Sequence, residues 1–250
     1  MKKQEWKVAV GADSVSAVYE PATSPEEAAV YVFAHGAGGS MSDRGMLCTA
    51  NALRARGFGV VRYNFLYKEK KSSRPDAMPK LMETVSAVVA RVRQELGAGL
   101  RKSRSLDFAR DDNPVDVVTG PALPPLIIRG RSMGGRAASM LAAEGFDADG
   151  LLLLAYPLHP AGKPEKLRDA HLSKISMPVL ALSGTRDALC TRALMEKALE
   201  TVTAPWQMRW IDGADHGFHV LKSSGRTDDD VMQEIARVSS EWVGELPSRV

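Results

Sequence analysis

What most limits the folds open to this chain is an alternation. From residue 28 onward, short continuous apolar runs are separated by longer segments whose apolar residues recur at helical spacing. The run 28–34 (AAVYVFA) has no polar face, which is what a strand covered on both sides requires. Strands are expected at 28–34, 59–63, 126–129, 150–154, 179–183 and 207–211, with helices at 44–56, 76–96, 136–143, 193–202 and 229–243. In the second of these helices Leu81, Val85, Val88, Val89 and Val92 form one apolar face. Strands joined through helices make right-handed crossovers, so the sheet is expected to be mostly parallel, with helices on both faces. Two further strands at 6–10 and 15–19 make an antiparallel start, for seven or eight strands in total. No internal repeat or low-complexity linker divides the chain, so residues 1–250 are read as a single α/β domain.

Two connections stand out. Residues 97–124 are long and polar, and they join a helix to the next strand, which places them at the N-terminal edge of the sheet. Ligands of open α/β sheets bind beyond the carboxyl ends of strands, so this insertion is not expected to act as a lid. Residues 64–75 follow a strand and belong to the active edge. Their cluster of Lys68, Lys70, Lys71 and Arg74 suits an anionic substrate, although charge runs of this kind are usually solvated loops.

Composition excludes several classes of function. The formal net charge is +3 over 250 residues, too small an excess for a nucleic-acid footprint. No apolar run approaches the roughly 18 residues of a membrane span. The basic N-terminus lacks the apolar stretch of a secretory leader, because Lys7 and Asp13 interrupt it. The two cysteines, Cys48 and Cys190, build neither a disulfide framework nor a CxxC metal or redox motif. A cytoplasmic protein acting on a small molecule is expected, without metal or organic cofactor and without nucleic-acid or membrane partners; the oligomeric state is open.

The chemistry is carried by Gly130-Arg131-Ser132-Met133-Gly134, a G-x-S-x-G sequence. Composition alone would produce this pattern roughly 0.14 times in a chain of this length. Context makes it specific: the apolar strand Leu126-Ile127-Ile128 precedes it and a helix follows. A serine on such a sharp strand-to-helix turn needs neighbours without side chains, and the helix N-terminus then aims its amides at the reacting oxygen. The alternative is a glycine-rich turn that cradles phosphate, but neither a Walker lysine nor Gly-x-Gly-x-x-Gly is present.

A nucleophilic serine needs a base and an orienting acid. His216 follows the last strand in a loop of small residues, with His219 as the fallback. Asp187 leaves the strand 179–183 at its carboxyl end, whereas Asp212 and Asp215 are too near His216 in sequence to orient it and read as loop carboxylates. Ser132, Asp187 and His216 thus stand in the chain order Ser…Asp…His. An oxyanion hole requires two converging N–H groups. One is expected from Met133 and the other from Ala37, or failing that Gly36, in the loop His35-Gly36-Ala37-Gly38-Gly39.

These motifs resemble the α/β-hydrolase superfamily. The chain is similar to its small members that include the testis-expressed hydrolase-like proteins and relatives of the NSL acetyltransferase-complex subunit, and more distantly to dienelactone hydrolases. The resemblance rests on residues 34–39, on 130–137, on Tyr156-Pro157-Leu158-His159-Pro160, on Leu167-Arg168-Asp169-Ala170-His171-Leu172, and on Ser183-Gly184-Thr185-Arg186-Asp187. It implies the α/β-hydrolase fold and a serine-hydrolase triad at Ser132, Asp187 and His216, but no particular substrate. Some eukaryotic relatives resemble scaffold subunits. Where many bacterial relatives carry Pro-Phe-Gly after the acid, this chain has Ala188-Leu189-Cys190.

The connection 156–177 is where larger hydrolases insert a cap, and here it is about 20 residues, far below the roughly 50 of an independent domain. An open, shallow site without a cap is therefore expected, bordered by Phe65, Tyr67, Tyr156, His159 and Phe218. The leading function is hydrolysis of an ester or thioester of a small substrate. The alternatives are a non-catalytic interaction module on the same fold, or perhydrolase or acyltransferase chemistry on the same triad.

Overall fold

Among the described residues, eight strands, numbered β1 to β8 in chain order, lie in one sheet in the order β1-β2-β4-β3-β5-β6-β7-β8. A computed structural model describes residues 2–24, 27–107 and 123–247. Strands β1 (Gln4–Val10) and β2 (Asp13–Glu20) form the antiparallel edge, and β2 pairs antiparallel with β4 (Phe58–Tyr63). From β4 onward every pairing is parallel: β3 (Ala29–Ala34), β5 (Leu126–Arg131), β6 (Gly150–Leu154), β7 (Val179–Gly184) and β8 (Trp206–Ile211). This strand order, antiparallel at one edge and parallel from β4 onward, is the mostly parallel α/β sheet that the sequence led us to expect. No cap domain interrupts the described part of the chain between β6 and β7.

The strands alternate their side chains between two cores, as the period of two demands. Val30, Val32, Ile128, Leu151, Leu153, Val179 and Ala181 face α3 (Met78–Asp107) and α4 (Met133–Ala143). Tyr31, Phe33, Ile127, Leu152, Leu154, Leu180 and Leu182 face α1 (Arg44–Arg54) and α6 (Asp228–Gly244). Each fully buried Leu, Ile or Val side chain is worth about 1.5–3 kcal/mol against exposure, so the central strands hold the sheet rigid under the loops at its carboxyl edge. Thr227 begins α6 with a capping box: its Oγ1 accepts from Asp230 N–H at 3.2 Å, and its own N–H donates to Asp230 Oδ2 at 2.8 Å.

Several element boundaries differ from the sequence expectation. The helix expected at 76–96 continues to Asp107, because Gly97 and Gly99 do not break a segment otherwise rich in helix formers. Residues 97–107 of the stretch expected to be irregular are thus helical, and residues 108–122 lie outside the described residues. Strand β5 runs to Arg131 and α4 starts at Met133, so Ser132 is the sole residue between them. The expected loop at 64–75 contains a short helix, α2 (Leu66–Glu69), and its charged side chains are largely exposed: Lys70 pairs with Asp13 at 2.8 Å, and Lys68 donates to the Gly38 carbonyl at 3.3 Å. The last helix before β8, α5, spans Arg192–Leu199. Among the described residues no helix is long and apolar enough to cross a membrane.

After β3 the chain crosses to β4 on one side, and β5 is laid down on the other. The gap above β3 and β5 is thus the topological switch point of the sheet, where open α/β folds bind ligands. Registers align the carboxyl ends of the strands: Ala34 pairs with Gly130, Arg131 with Leu154, Leu154 with Leu182, and Gly184 with Ile211. The loops that follow β3, β5, β7 and β8 consequently emerge side by side.

Candidate active site

Ser132 occupies a backbone conformation that L-residues rarely adopt, with φ +50° and ψ −115°. Such strain persists only where the surroundings enforce it. Here the amide of Ser132 is tied to the Leu154 carbonyl at 2.9 Å, and its own carbonyl accepts from Arg136 N–H at 3.0 Å. The turn is so tight that a Cβ on Gly130 would sit 2.3 Å from the backbone of Gly134 and Gly135, so no other residue fits there.

Three loops bring the expected side chains together. Ser132 Oγ lies 2.9 Å from His216 Nε2. His216 Nδ1 lies 2.9 Å from Asp187 Oδ2 and 3.0 Å from Oδ1. The Asp187 carboxylate is fully buried, and its Oδ1 also accepts from Leu189 N–H at 2.8 Å, while the His216 side chain remains partly exposed. A buried carboxylate fixes the imidazole by making Nδ1 the protonated nitrogen, which leaves Nε2 to accept from the serine hydroxyl.

The remaining candidates are placed elsewhere. His219 pairs with Asp228 at 2.7 Å and is largely exposed, away from the serine. Asp215 receives the amides of Gly217 at 2.7 Å and His219 at 2.9 Å, and so shapes the turn that carries His216. Asp212 lies exposed, 3.4 Å from the Thr185 hydroxyl. His171 shares a hydrogen bond with Ser139 Oγ at 2.8 Å, and burial pushes its pKa down to about 4.

The loop expected to contribute to an oxyanion hole abuts the serine. A Cβ on Gly36 would lie 3.6 Å from Ser132 Cβ, and the loop folds back through Gly39 N–H to the Gly36 carbonyl at 3.1 Å, leaving Ala37 exposed on the turn. His35 anchors it: Nδ1 lies 2.8 Å from the Gly36 carbonyl, and Nε2 accepts from Phe65 N–H at 3.1 Å. Burial lowers the His35 pKa, in keeping with a neutral ring used as a structural tie. Met133 is the first residue of α4, where an amide has no acceptor within its own helix.

The five side chains expected to border an open pocket are all buried. Phe65 is fully buried and packs edge-on against His35 at 4.9 Å. Tyr67 also lies against His35, at 5.9 Å. Tyr156 spends its hydroxyl on the Arg168 carbonyl at 2.6 Å, and His159 Nδ1 lies 2.9 Å from the Pro160 carbonyl. Where these side chains were expected to border an open, shallow site, the structure instead buries them in the packed interior. Phe218 lines a cavity beside the triad, which Gly36, Arg131 and Gly217 also border.

Two contributors escaped the sequence reading. Gly184 lies where a Cβ would meet the Ala214 carbonyl oxygen at 2.0 Å, so the acid-bearing and histidine-bearing loops touch backbone to backbone. A glycine between a buried strand and the acid was the available signal. Arg131 Nη2 donates to the His216 carbonyl at 3.3 Å, bracing the loop that carries His216; its position inside G-x-S-x-G is one the motif leaves free.

Comparison with known proteins agrees with this architecture. The chain covers 95% of its length and 98% of an α/β serine hydrolase homologue from Coxiella burnetii, at 18% identity and a TM-score of 0.69. An α/β serine hydrolase without lid from Xanthomonas campestris matches with a TM-score of 0.68 at 20% identity, over 100% of this chain and 98% of that one. Dienelactone hydrolase from Anabaena variabilis matches with a TM-score of 0.66 at 20% identity, over 99% and 100%. At these identities the likeness is one of fold. The family model of the alpha/beta hydrolase domain matches residues 27–244, nearly the whole chain, and the protein belongs to that family.

Proposed function

We propose that the protein is a serine hydrolase that cleaves an ester or thioester of a small substrate, with Ser132 as nucleophile, His216 as general base and Asp187 as its orienting acid. One observation carries this reading: the unbroken hydrogen-bond line from Ser132 Oγ through both ring nitrogens of His216 to a buried carboxylate, assembled from three separate loops. Packing alone gives no reason to hold a serine at φ +50° with its hydroxyl aimed at an imidazole.

In this mechanism His216 Nε2 takes the hydroxyl proton as Ser132 Oγ attacks the carbonyl carbon. The imidazolium then returns the proton to the leaving alcohol or thiol, and water repeats the sequence on the acyl-enzyme. The amides of Met133 and Ala37 receive the oxyanion; a single such donor is worth about 100- to 1,000-fold in rate, and general-base help about 100- to 10,000-fold. Residues 1–250 act as one domain in this reading, and the absence of a cap between β6 and β7 suits substrates approached from solvent. Esters and thioesters are favoured over amides because their leaving groups depart without needing strong protonation.

A fluorophosphonate probe tests the reading. Ser132 is expected to be labelled in the folded wild-type protein, with labelling and hydrolysis of p-nitrophenyl acetate both lost in Ser132→Ala. Folded protein that takes no label at Ser132 overturns it.

A further inference from the structure

Strand β5 carries an arginine at two alternate positions, Arg129 and Arg131, so both side chains leave the same face of the sheet, toward α1 and α6. Arg129 is only 2% exposed. Its guanidinium stacks on the Phe33 ring at 3.9 Å, and its Nη1 reaches Met46 Sδ, a weak acceptor, at 3.1 Å. Its Nε has no hydrogen-bond partner among the described residues. No carboxylate among them forms an ion pair with it. Burial and the neighbouring Arg131 charge lower its pKa to about 9, which still leaves it cationic at neutral pH. A buried cation without a counter-charge is costly, and proteins normally pair it.

The missing partner has a place to sit. A cavity of about 250 Å³ is lined by both arginines, with Met46, Phe218, Gly36 and Gly217 among its walls, and this is far more space than a single water needs. Three carboxylates also reach the cavity, and each is already engaged. Asp43 accepts from the Ser40 amide and hydroxyl, both at 2.9 Å. Asp229 faces Arg44 at 3.1 Å, and Asp228 lies 2.7 Å from His219 Nδ1 and 3.2 Å from the Val220 amide. Arg44 and Asp229 are well exposed, so this end opens to solvent, while the arginine end is the buried one. Arg131 feels Asp43, Asp215 and Asp187; Arg129 has no comparable acid.

We propose that Arg129 and Arg131 form a binding site for a small oxyanion, a carboxylate or phosphate group, in the cavity beside the triad. Guanidinium groups present forked donors that match these anions. The anion arrives either as the charged end of an ester substrate or as a free ion. The site needs neither Ser132 nor turnover, so it stands or falls separately from the hydrolase reading.

Orthophosphate is the first probe, compared with sodium chloride at equal ionic strength on the Ser132→Ala protein. A saturable rise in Tm of about 2–4 °C is expected. The rise should vanish in Ser132→Ala/Arg129→Met and persist in Ser132→Ala/Arg237→Met, which removes an exposed arginine paired to Glu241 on α6. Titration of the ¹⁵N-labelled protein reads the same site without altering it: the Arg129 Nε–H signal should shift and saturate. No phosphate-specific rise, a rise that survives Arg129→Met, or an Arg129 signal that does not move overturns the site. Turnover separates the two sources. Competition by phosphate against p-nitrophenyl hemisuccinate but not p-nitrophenyl butyrate assigns the anion to the substrate; binding without competition against either assigns it to a free ion, and both results uphold the site.

Discussion

Replacing Gly184 with alanine tests whether the triad depends on the two loops touching through their backbones. The added Cβ would stand 2.0 Å from the Ala214 carbonyl oxygen, 2.5 Å from its carbon and 2.9 Å from the Asp215 carbonyl oxygen. These atoms are main chain and have no rotamer to yield. Reaching an ordinary contact of 3.4 Å requires about 1.4 Å of separation between the end of β7 and the loop that carries His216. Asp187 follows Gly184 by three residues and His216 follows Ala214 by two, so the displacement acts directly on hydrogen bonds of 2.9 and 3.0 Å. A misplacement of about 1 Å typically costs on the order of 100-fold in rate, and overpacking about 1–3 kcal/mol in stability. The assay is kcat/KM for p-nitrophenyl acetate alongside urea unfolding, with Gly244→Ala as the control because a Cβ there meets nothing within 4 Å. A folded Gly184→Ala protein within threefold of wild-type kcat/KM would refute the coupling between these loops.

Asp187→Asn should preserve the fold yet lower kcat about 10,000-fold, since an amide at 2.9 Å from Nδ1 favours the wrong imidazole tautomer; stopped-flow or single-turnover acylation reads this. Thr227→Ala removes one half of the α6 capping box and should cost about 1 kcal/mol in urea unfolding while kcat/KM stays unchanged. His171 titrates near 4 in the folded protein against about 6.5 in an unfolded chain, so between those values the unfolded state binds more protons and stability rises with pH. Unfolding of the wild-type protein at pH 5 and pH 7.5 should show that loss on the acid side, and His171→Gln should flatten it.

The parts of this molecule legible in the sequence are those whose local chemistry has few solutions. Apolar runs without a polar face had to be strands of a covered sheet, and each appears. A serine between glycines, after a strand and before a helix, allows little besides a strained turn, and Ser132 has φ +50°. The aromatic residues around the expected pocket were not legible in the same way. Tyr156 and Phe65 are as compatible with a wall as with a lining, and the choice is made by partners remote in sequence or on the backbone: the Arg168 carbonyl for one and the His35 ring for the other.

The two arginines of β5 show how a small boundary error hides a site. With the strand expected to stop at 129, Arg129 reads as a residue leaving the sheet, and a charged residue at a strand exit needs no explanation. Strand β5 in fact continues to Arg131, and Arg129 is held between Phe33 of β3 and Leu152 of β6, in the middle of a parallel ladder. At that depth hydrophobic residues are the rule and a lone guanidinium is not. The exit position passes to Arg131, one residue before Ser132, where its charge meets the carbonyl of His216. Two residues of extra strand therefore convert a solvated charge into a buried one and place its neighbour under His216. The same extension brings the end of the strand directly to Ser132, so the geometry that strains the serine is the geometry that leaves Arg129 seeking an anion.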